Sequence, residues 1–296
     1  KDGTSWENAF TDLQPAIDLL ESCYCPLPSE IWVAEGTYLP TENLFTDSTD
    51  ARFRSFQLNF NTKIYGGFSG SETQRSQRDI DANPTTLSGE IGNTGTSDNV
   101  YSVVTVFNGE RVVIDGFTIS GGRADLPFIP FDGYFTSDGG GIYVNGSTGA
   151  GAPRYLQIDN CIIENNFAQR GGGLFARNVL DRNFISCTNT IFRNNTAAEI
   201  GGGAMTEAKF TMVDNRFTAC QFLENEVQNG TGGGLSIYWP IEITAGQGIV
   251  QLDYCSFYGN TASDGGAIGY NELRGLGGGG LRINHCSLVA NSSASG

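Results

Sequence analysis

Cys161-Ile-Ile-Glu-Asn-Asn166, followed by Phe-Ala-Gln-Arg and then Gly171-Gly-Gly-Leu-Phe-Ala176, decides the fold, because the chain keeps returning to it. Glycine clusters stand at Gly139–Gly141, Gly171–Gly173, Gly201–Gly203, Gly232–Gly234 and Gly265–Gly266, with starts 32, 30, 31 and 33 residues apart. Between and after them fall Thr190-Ile-Phe-Arg-Asn-Asn195, Cys220-Gln-Phe-Leu-Glu-Asn225, Cys255-Ser-Phe-Tyr-Gly-Asn260 and Cys286-Ser-Leu-Val-Ala-Asn291. A fixed period in this range is the mark of a solenoid.

Within each period the residues read as short strands joined by tight corners. Ile185-Ser-Cys-Thr-Asn-Thr-Ile-Phe192 alternates with period two, as a half-buried strand does. The glycines, including Gly140, Gly172, Gly202, Gly233 and Gly266, permit positive φ and close backbone approach. The recurrent Asn166, Asn195, Asn225, Asn260 and Asn291 tolerate the left-handed conformation, and each amide can bond its equivalent one rung away. The expectation is an all-β, right-handed parallel β-helix of about thirty residues per coil, the hand following from the handedness of parallel crossovers.

The first half follows the same plan less regularly. Ile31-Trp-Val-Ala, Lys63-Ile-Tyr-Gly-Gly-Phe, Tyr101-Ser-Val-Val-Thr-Val and Val112-Val-Ile-Asp are strand-like. Phe117-Thr-Ile-Ser-Gly-Gly122 is a first copy of the box, with Phe117 in the cysteine place and Gly122 in the asparagine place. Phe10, Leu13, Ile17 and Leu20 have helical spacing, with Asp12 as N-cap and Pro15 in the tolerated first turn. A β-helix has an open apolar end, and this short helix suits it as a cap. One domain is expected over 1–296, with a cap at 1–30 and irregular coils at 31–122. A loop insertion at 123–138 and regular coils at 139–296 complete it. The last box stops where the next glycine cluster is due, so further coils are expected beyond 296.

Seventeen basic against thirty-two acidic residues give a net charge of −15, with lysine only at positions 1, 63 and 209. Such a surface repels nucleic acid and anionic membranes. No apolar run reaches the ~18 residues of a membrane span, so direct membrane insertion of this segment is not expected. Of seven cysteines, Cys161, Cys220, Cys255 and Cys286 share one repeat place and read as a ladder of buried free thiols, with a disulfide between neighbouring rungs as the alternative. Cys23 and Cys25 lie outside it and are the better candidates to pair with other cysteines.

The pairing of a glycine cluster with Phe-x-x-Asn, as in Phe192-Arg-Asn-Asn195, Phe222-Leu-Glu-Asn225 and Phe257-Tyr-Gly-Asn260, resembles the repeats of the chlamydial polymorphic outer membrane proteins. Ile163 and Leu288 depart from that pattern conservatively. The stretch from Gly3-Thr-Ser-Trp-Glu-Asn-Ala-Phe10 to Ile64-Tyr-Gly-Gly-Phe-Ser-Gly70 resembles the N-terminal cap of large bacterial β-helix surface proteins. The resemblance implies an extracellular, secreted or cell-surface stalk, with adhesion as its role and no catalytic residues to carry over.

Chemistry was weighed separately. Parallel β-helices include polysaccharide lyases and glycosidases, and a glycosidase needs two carboxylates roughly 5–10 Å apart. Glu164 with Arg193, and Asp138 with Arg170, read instead as cross-rung pairs. Asp181, Arg182 and Arg177 are the best lyase candidates, and the single histidine, His285, should face outward. No catalytic residue, metal site or cofactor is expected, although Asp and Asn at the corners can gather Ca2+ diffusely. The insertion Arg123–Asp138 carries Phe128, Phe131, Tyr134 and Phe135, and a second extension carries Tyr238 and Trp239. Exposed aromatics on stiff loops suit carbohydrate stacking or a protein partner. The expected function is a non-enzymatic, adhesin-like scaffold whose partners are cell-surface glycans or proteins, or copies of itself. A polysaccharide lyase or glycosidase is the alternative.

Overall fold

The computed structural model describes residues 1–22, 30–59, 61–92, 95–107, 111–126, 130–131, 134–146, 154–178, 183–208, 214–239, 248–272 and 279–294. They form a parallel β-helix of four sheets. Sheet I has eight strands, from Ile31–Ala34 to Gly279–Asn284, and sheet II eight, from Gly36–Tyr38 to Ser287–Val289. Sheet III has six, from Arg123–Ala124 to Ser292–Ser293, and sheet IV seven, from Phe56–Leu58 to Ile268–Glu272. One coil runs through Arg154–Asp159, Ile162–Glu164, Phe167–Arg170 and Leu174–Asn178, one strand in each sheet.

Register is what stacks the core. Ile163, Phe192, Phe222, Phe257 and Leu288 are successive Cα partners across sheet II. Phe192 and Phe222 stack at 4.8 Å and Phe222 and Phe257 at 4.6 Å, with Phe217 of sheet I edge-on to Phe222 at 5.8 Å. Such aromatic pairs contribute about 0.5–1.5 kcal/mol beyond the area they bury.

Corners are made by left-handed residues, and here the asparagine expectation needs correction. Asn160, Asn189, Ala219, Tyr254 and His285 have positive φ between sheets I and II. Asn165, Asn194, Glu224, Gly259 and Ala290 have it between sheets II and III, one residue before each ladder asparagine. The ladder asparagines themselves stay out of that region, because their side chains must turn inward. Asn195 Oδ1 accepts the Asn166 backbone N–H at 3.2 Å and Nδ2 at 3.0 Å, while Asn195 Nδ2 donates to the Ile163 carbonyl at 2.8 Å. The ladder ends where Gly122 replaces asparagine and donates its own N–H to Asn166 Oδ1 at 2.9 Å.

The cysteine column has a similar logic. Cys220 Sγ donates to the Cys187 carbonyl at 3.3 Å and Cys255 Sγ to the Phe217 carbonyl at 3.2 Å. Thr190 Oγ1 does the same for the Ile158 carbonyl at 3.2 Å. From Cys161 onward the place is held by a small donor, which explains why threonine substitutes for cysteine, whereas Phe117 fills it by size in the first copy. The five described cysteines are free thiols, Cys187 lying in sheet I outside this column; Cys23 and Cys25 fall outside the described residues. The glycine clusters divide their labour too. The first glycine of each is left-handed, whereas a Cβ on Gly172 would meet the Thr196 and Gly202 carbonyl oxygens at 2.5 and 2.6 Å.

Helix α1, Leu13–Ser22, covers the first coil as expected, with Asp12 Oδ1 accepting the Gln14 N–H at 3.3 Å. Leu13 and Ile17 are buried against the core. Its polar side chains serve the end strand of sheet IV: Gln14 Oε1 accepts the Gln57 N–H at 3.0 Å and Glu21 Oε1 accepts the Asn59 N–H at 2.6 Å. The helix thus blunts a strand edge as well as covering apolar surface.

Candidate functional site

From Val104 onward, the departures from the regular coil gather at the two edges of sheet IV. On one edge, the chain leaves Arg123–Ala124 of sheet III and returns at Asp138, which bridges Arg170 in parallel. Arg123–Ala124 is itself a rung, so the excursion is shorter than the sequence alone indicates. Within it Pro130–Phe131 pairs antiparallel with Tyr134–Phe135. This brings the backbones of Phe131, Tyr134 and Phe135 together, while Phe128 lies outside the described residues. On the other edge, every connection from sheet IV back to sheet I spans one corner, at 59–62, 108–111, 147–153, 179–182, 209–213, 240–247 and 273–278.

The outer face of sheet IV between these edges is mostly buried. Tyr101, Tyr143, Phe175 and Met205 form an outer cluster, covered in part by Leu44, Phe45, Phe53 and Leu126. Tyr143 and Phe175 stack at 5.8 Å. Beside this row, Asn145, Arg177, Glu207, Tyr238 and Asn271 are successive Cα partners. Tyr238 is half-buried against the outer cluster. Trp239 is a correction: it is only 2 % exposed and packs in the main core, because the next residue of a strand points to the opposite face. Both belong to the strand Leu235–Trp239, with the extension beginning after it.

Four charged side chains meet on this face. Arg170 donates through Nε to Asp138 Oδ1 at 2.9 Å and through Nη2 to Oδ2 at 2.5 Å. Its Nη1 lies 3.6 Å from Glu207 Oε2, and Arg177 Nη2 lies 3.4 Å from Glu207 Oε1. Asp138 is 0 % and Glu207 2 % exposed. Burial pushes the Asp138 carboxyl up, against the pull of the Arg170 fork. Two carboxylates matched by two guanidiniums make the cluster neutral, and Arg170 rests over the Phe175 ring at 5.1 Å. The sequence reading had Asp138, Arg170 and Arg177 but missed Glu207. Counting from the glycine clusters finds it, since Arg177 and Glu207 are register partners one coil apart.

The other candidates for chemistry separate. Glu164 and Arg193 form the expected cross-rung pair at 2.5 Å. His285 is exposed and stacks on Tyr254 at 4.9 Å. Asp181 and Arg182 lie outside the described residues. Among the described residues no three His, Cys, Asp or Glu side chains are grouped to hold a metal, and no helix is long and apolar enough to cross a membrane.

Residues 254–269, which contain the Cys255–Asn260 box and the Gly265-Gly266 pair, match the family model for the Chlamydia polymorphic membrane protein repeat. No curated protein and no solved structure matches the chain. The chain is thus a parallel β-solenoid that resembles the chlamydial polymorphic membrane protein repeats, a resemblance carried by the coil of Cys255–Asn260 and built on the same ladder as its neighbours.

Proposed function

We propose that the chain is an extracellular, non-enzymatic scaffold that binds cell-surface glycans or proteins through the loops flanking sheet IV. The observation that carries this reading is that, from Val104 onward, the long connections lie at the two edges of one sheet, while the corners between sheets I and II and between sheets II and III stay short. Loops raised from a rigid scaffold are where binding surfaces generally lie. The surface association of the resembled repeats supports the reading. The polysaccharide lyase or glycosidase alternative finds two carboxylates in one cluster, but both are buried and held in ion pairs, which favours a structural role.

A glycan-array and depolymerase screen tests this on the wild type and on a variant with residues 125–135 replaced by a short turn. Array binding that falls at least tenfold in the variant, with an unchanged circular-dichroism spectrum, is the expected result. Binding unaffected by the replacement removes the loop from the site, and polysaccharide cleavage by the wild type reinstates the enzyme.

A further inference from the structure

At the capped end the chain leaves a slot. Strand Ile31–Ala34 is the terminal strand of sheet I, paired on one side with Lys63–Phe68 and, among the described residues, with no strand on the other. A cavity of ≈ 850 Å³ runs along it. Glu30, Ile31, Trp32, Val33 and Ala34 all line this cavity in unbroken sequence. Residues on both pleats of a strand can share one wall only where the strand presents its backbone edge. The N-terminal arm, through Asp2 to Trp6, and one side of α1, through Leu13, Ala16 and Leu20, form the opposing walls.

We infer that this slot binds an extended peptide segment of another protein, added as a strand beside Ile31–Ala34, with apolar and basic residues in alternation. The alternation follows from the two faces of the edge strand. Val33 is buried in the main core with Leu13, so side chains of an added strand on that pleat meet aliphatic surface. Trp32 belongs to the opposite pleat and stacks on Phe68 at 4.9 Å, with Trp6 over the same ring at 5.7 Å. Carboxylates line the cavity at Asp2, Asp12, Glu30 and Glu72, of which Glu30 is ion-paired with Arg75 at 2.5 Å, and none of the lining residues is Lys or Arg. Indole faces beside carboxylates favour a lysine or arginine side chain. Main-chain hydrogen bonds supply affinity in such strand addition and the alternating pockets supply selectivity. This site does not depend on the loops of sheet IV.

The test uses a fluorescein-labelled peptide of three Val-Lys repeats. Its binding is followed by anisotropy and by the emission of Trp6 and Trp32, two of the chain's three tryptophans. Saturable binding is expected, at least tenfold weaker for the Val-Glu peptide and for a Val-Lys peptide methylated on alternate backbone nitrogens. Glu30→Lys should weaken the Val-Lys peptide by a similar factor, and circular dichroism shows whether that variant keeps its fold. If it does not, Trp6→Ala, in the short helical turn Trp6–Asn8 outside the sheets, takes its place. Equal binding of the methylated peptide overturns strand addition. Displacement by choline chloride together with that equality reassigns the slot to a small organic cation. Self-association that the peptide disperses reassigns it to a second copy, and absence of saturable binding rejects the site.

Discussion

Asn195 and Asn225 bond to each other across adjacent coils, Asn195 Nδ2 donating to Asn225 Oδ1 at 3.1 Å with both residues 0 % exposed. The same Oδ1 accepts the Asn195 backbone N–H at 3.1 Å, and Asn225 Nδ2 donates to the Phe192 carbonyl at 2.9 Å. Asn225→Ala therefore strips partners from several buried groups at once, each costing about 1–3 kcal/mol when orphaned. We expect a loss of about 3 kcal/mol or more in urea unfolding. Asn291→Ala, on the last described rung and partly exposed, should cost much less. Equal losses at the two sites would show that the ladder contributes no more in the core than at its end.

The column shared by Cys220, Cys255 and Thr190 predicts an ordering. Thr190→Cys keeps a donor for the Ile158 carbonyl and should change stability by less than about 1 kcal/mol, whereas Thr190→Val removes the donor and should cost about 1–3 kcal/mol. Thermal unfolding of the two variants distinguishes a donor requirement from a requirement for size alone.

Arg170 holds the buried Asp138 by a fork, and breaking a buried pair by removing one partner costs about 3–5 kcal/mol. Arg170→Ala and Asp138→Ala should each show a loss of that order. The double variant should fall well short of their sum. Additive losses in the double-mutant cycle would mean that the two groups are stabilised independently.

Glu72 makes a pH prediction with a definite sign. Burial pushes its carboxyl up, yet the N–H groups of Ser69 at 2.7 Å and Ser71 at 3.0 Å outweigh this and lower it to about 2, against an ordinary 4.5. The folded chain then binds fewer protons than the unfolded chain between those values. Its contribution is present above pH 4.5 and is lost as pH falls through about 2. Carbon-13 NMR titration of the Glu72 carboxyl should give a midpoint near about 2, and Glu72→Gln should flatten the acid slope of stability over that window. A midpoint near 4.5 would mean the N–H groups do not hold the carboxylate in solution.

Much of this was legible in the residues because register in a solenoid is a sequence distance. The glycine starts placed Gly172 above Gly202, and the boxes placed Phe192 above Phe222 and Glu164 above Arg193. What escaped was anything decided by a single residue's direction. The left-handed corner fell on Asn194 and not on Asn195, although the two are chemically identical, because only one of them had a partner waiting inside. Trp239 reads with Tyr238 as an aromatic of a second extension, but strand alternation turns it into the core. The slot beside Ile31–Ala34 left no motif at all, since it is built by segments that meet only when the cap folds over the first coil.

The corner that joins sheet IV to sheet I has a consequence for how such a chain changes over generations. From Asn166 onward, the coils are locked to their neighbours by asparagine, glycine and phenylalanine contacts on the other three sides. Residues gained or lost at 147–153, 209–213 or 240–247 therefore leave the stacking of every strand untouched. Variation can accumulate along one seam of the molecule while the rest stays under strict geometric control. A chain divided in this way can alter what it meets without altering how it is built.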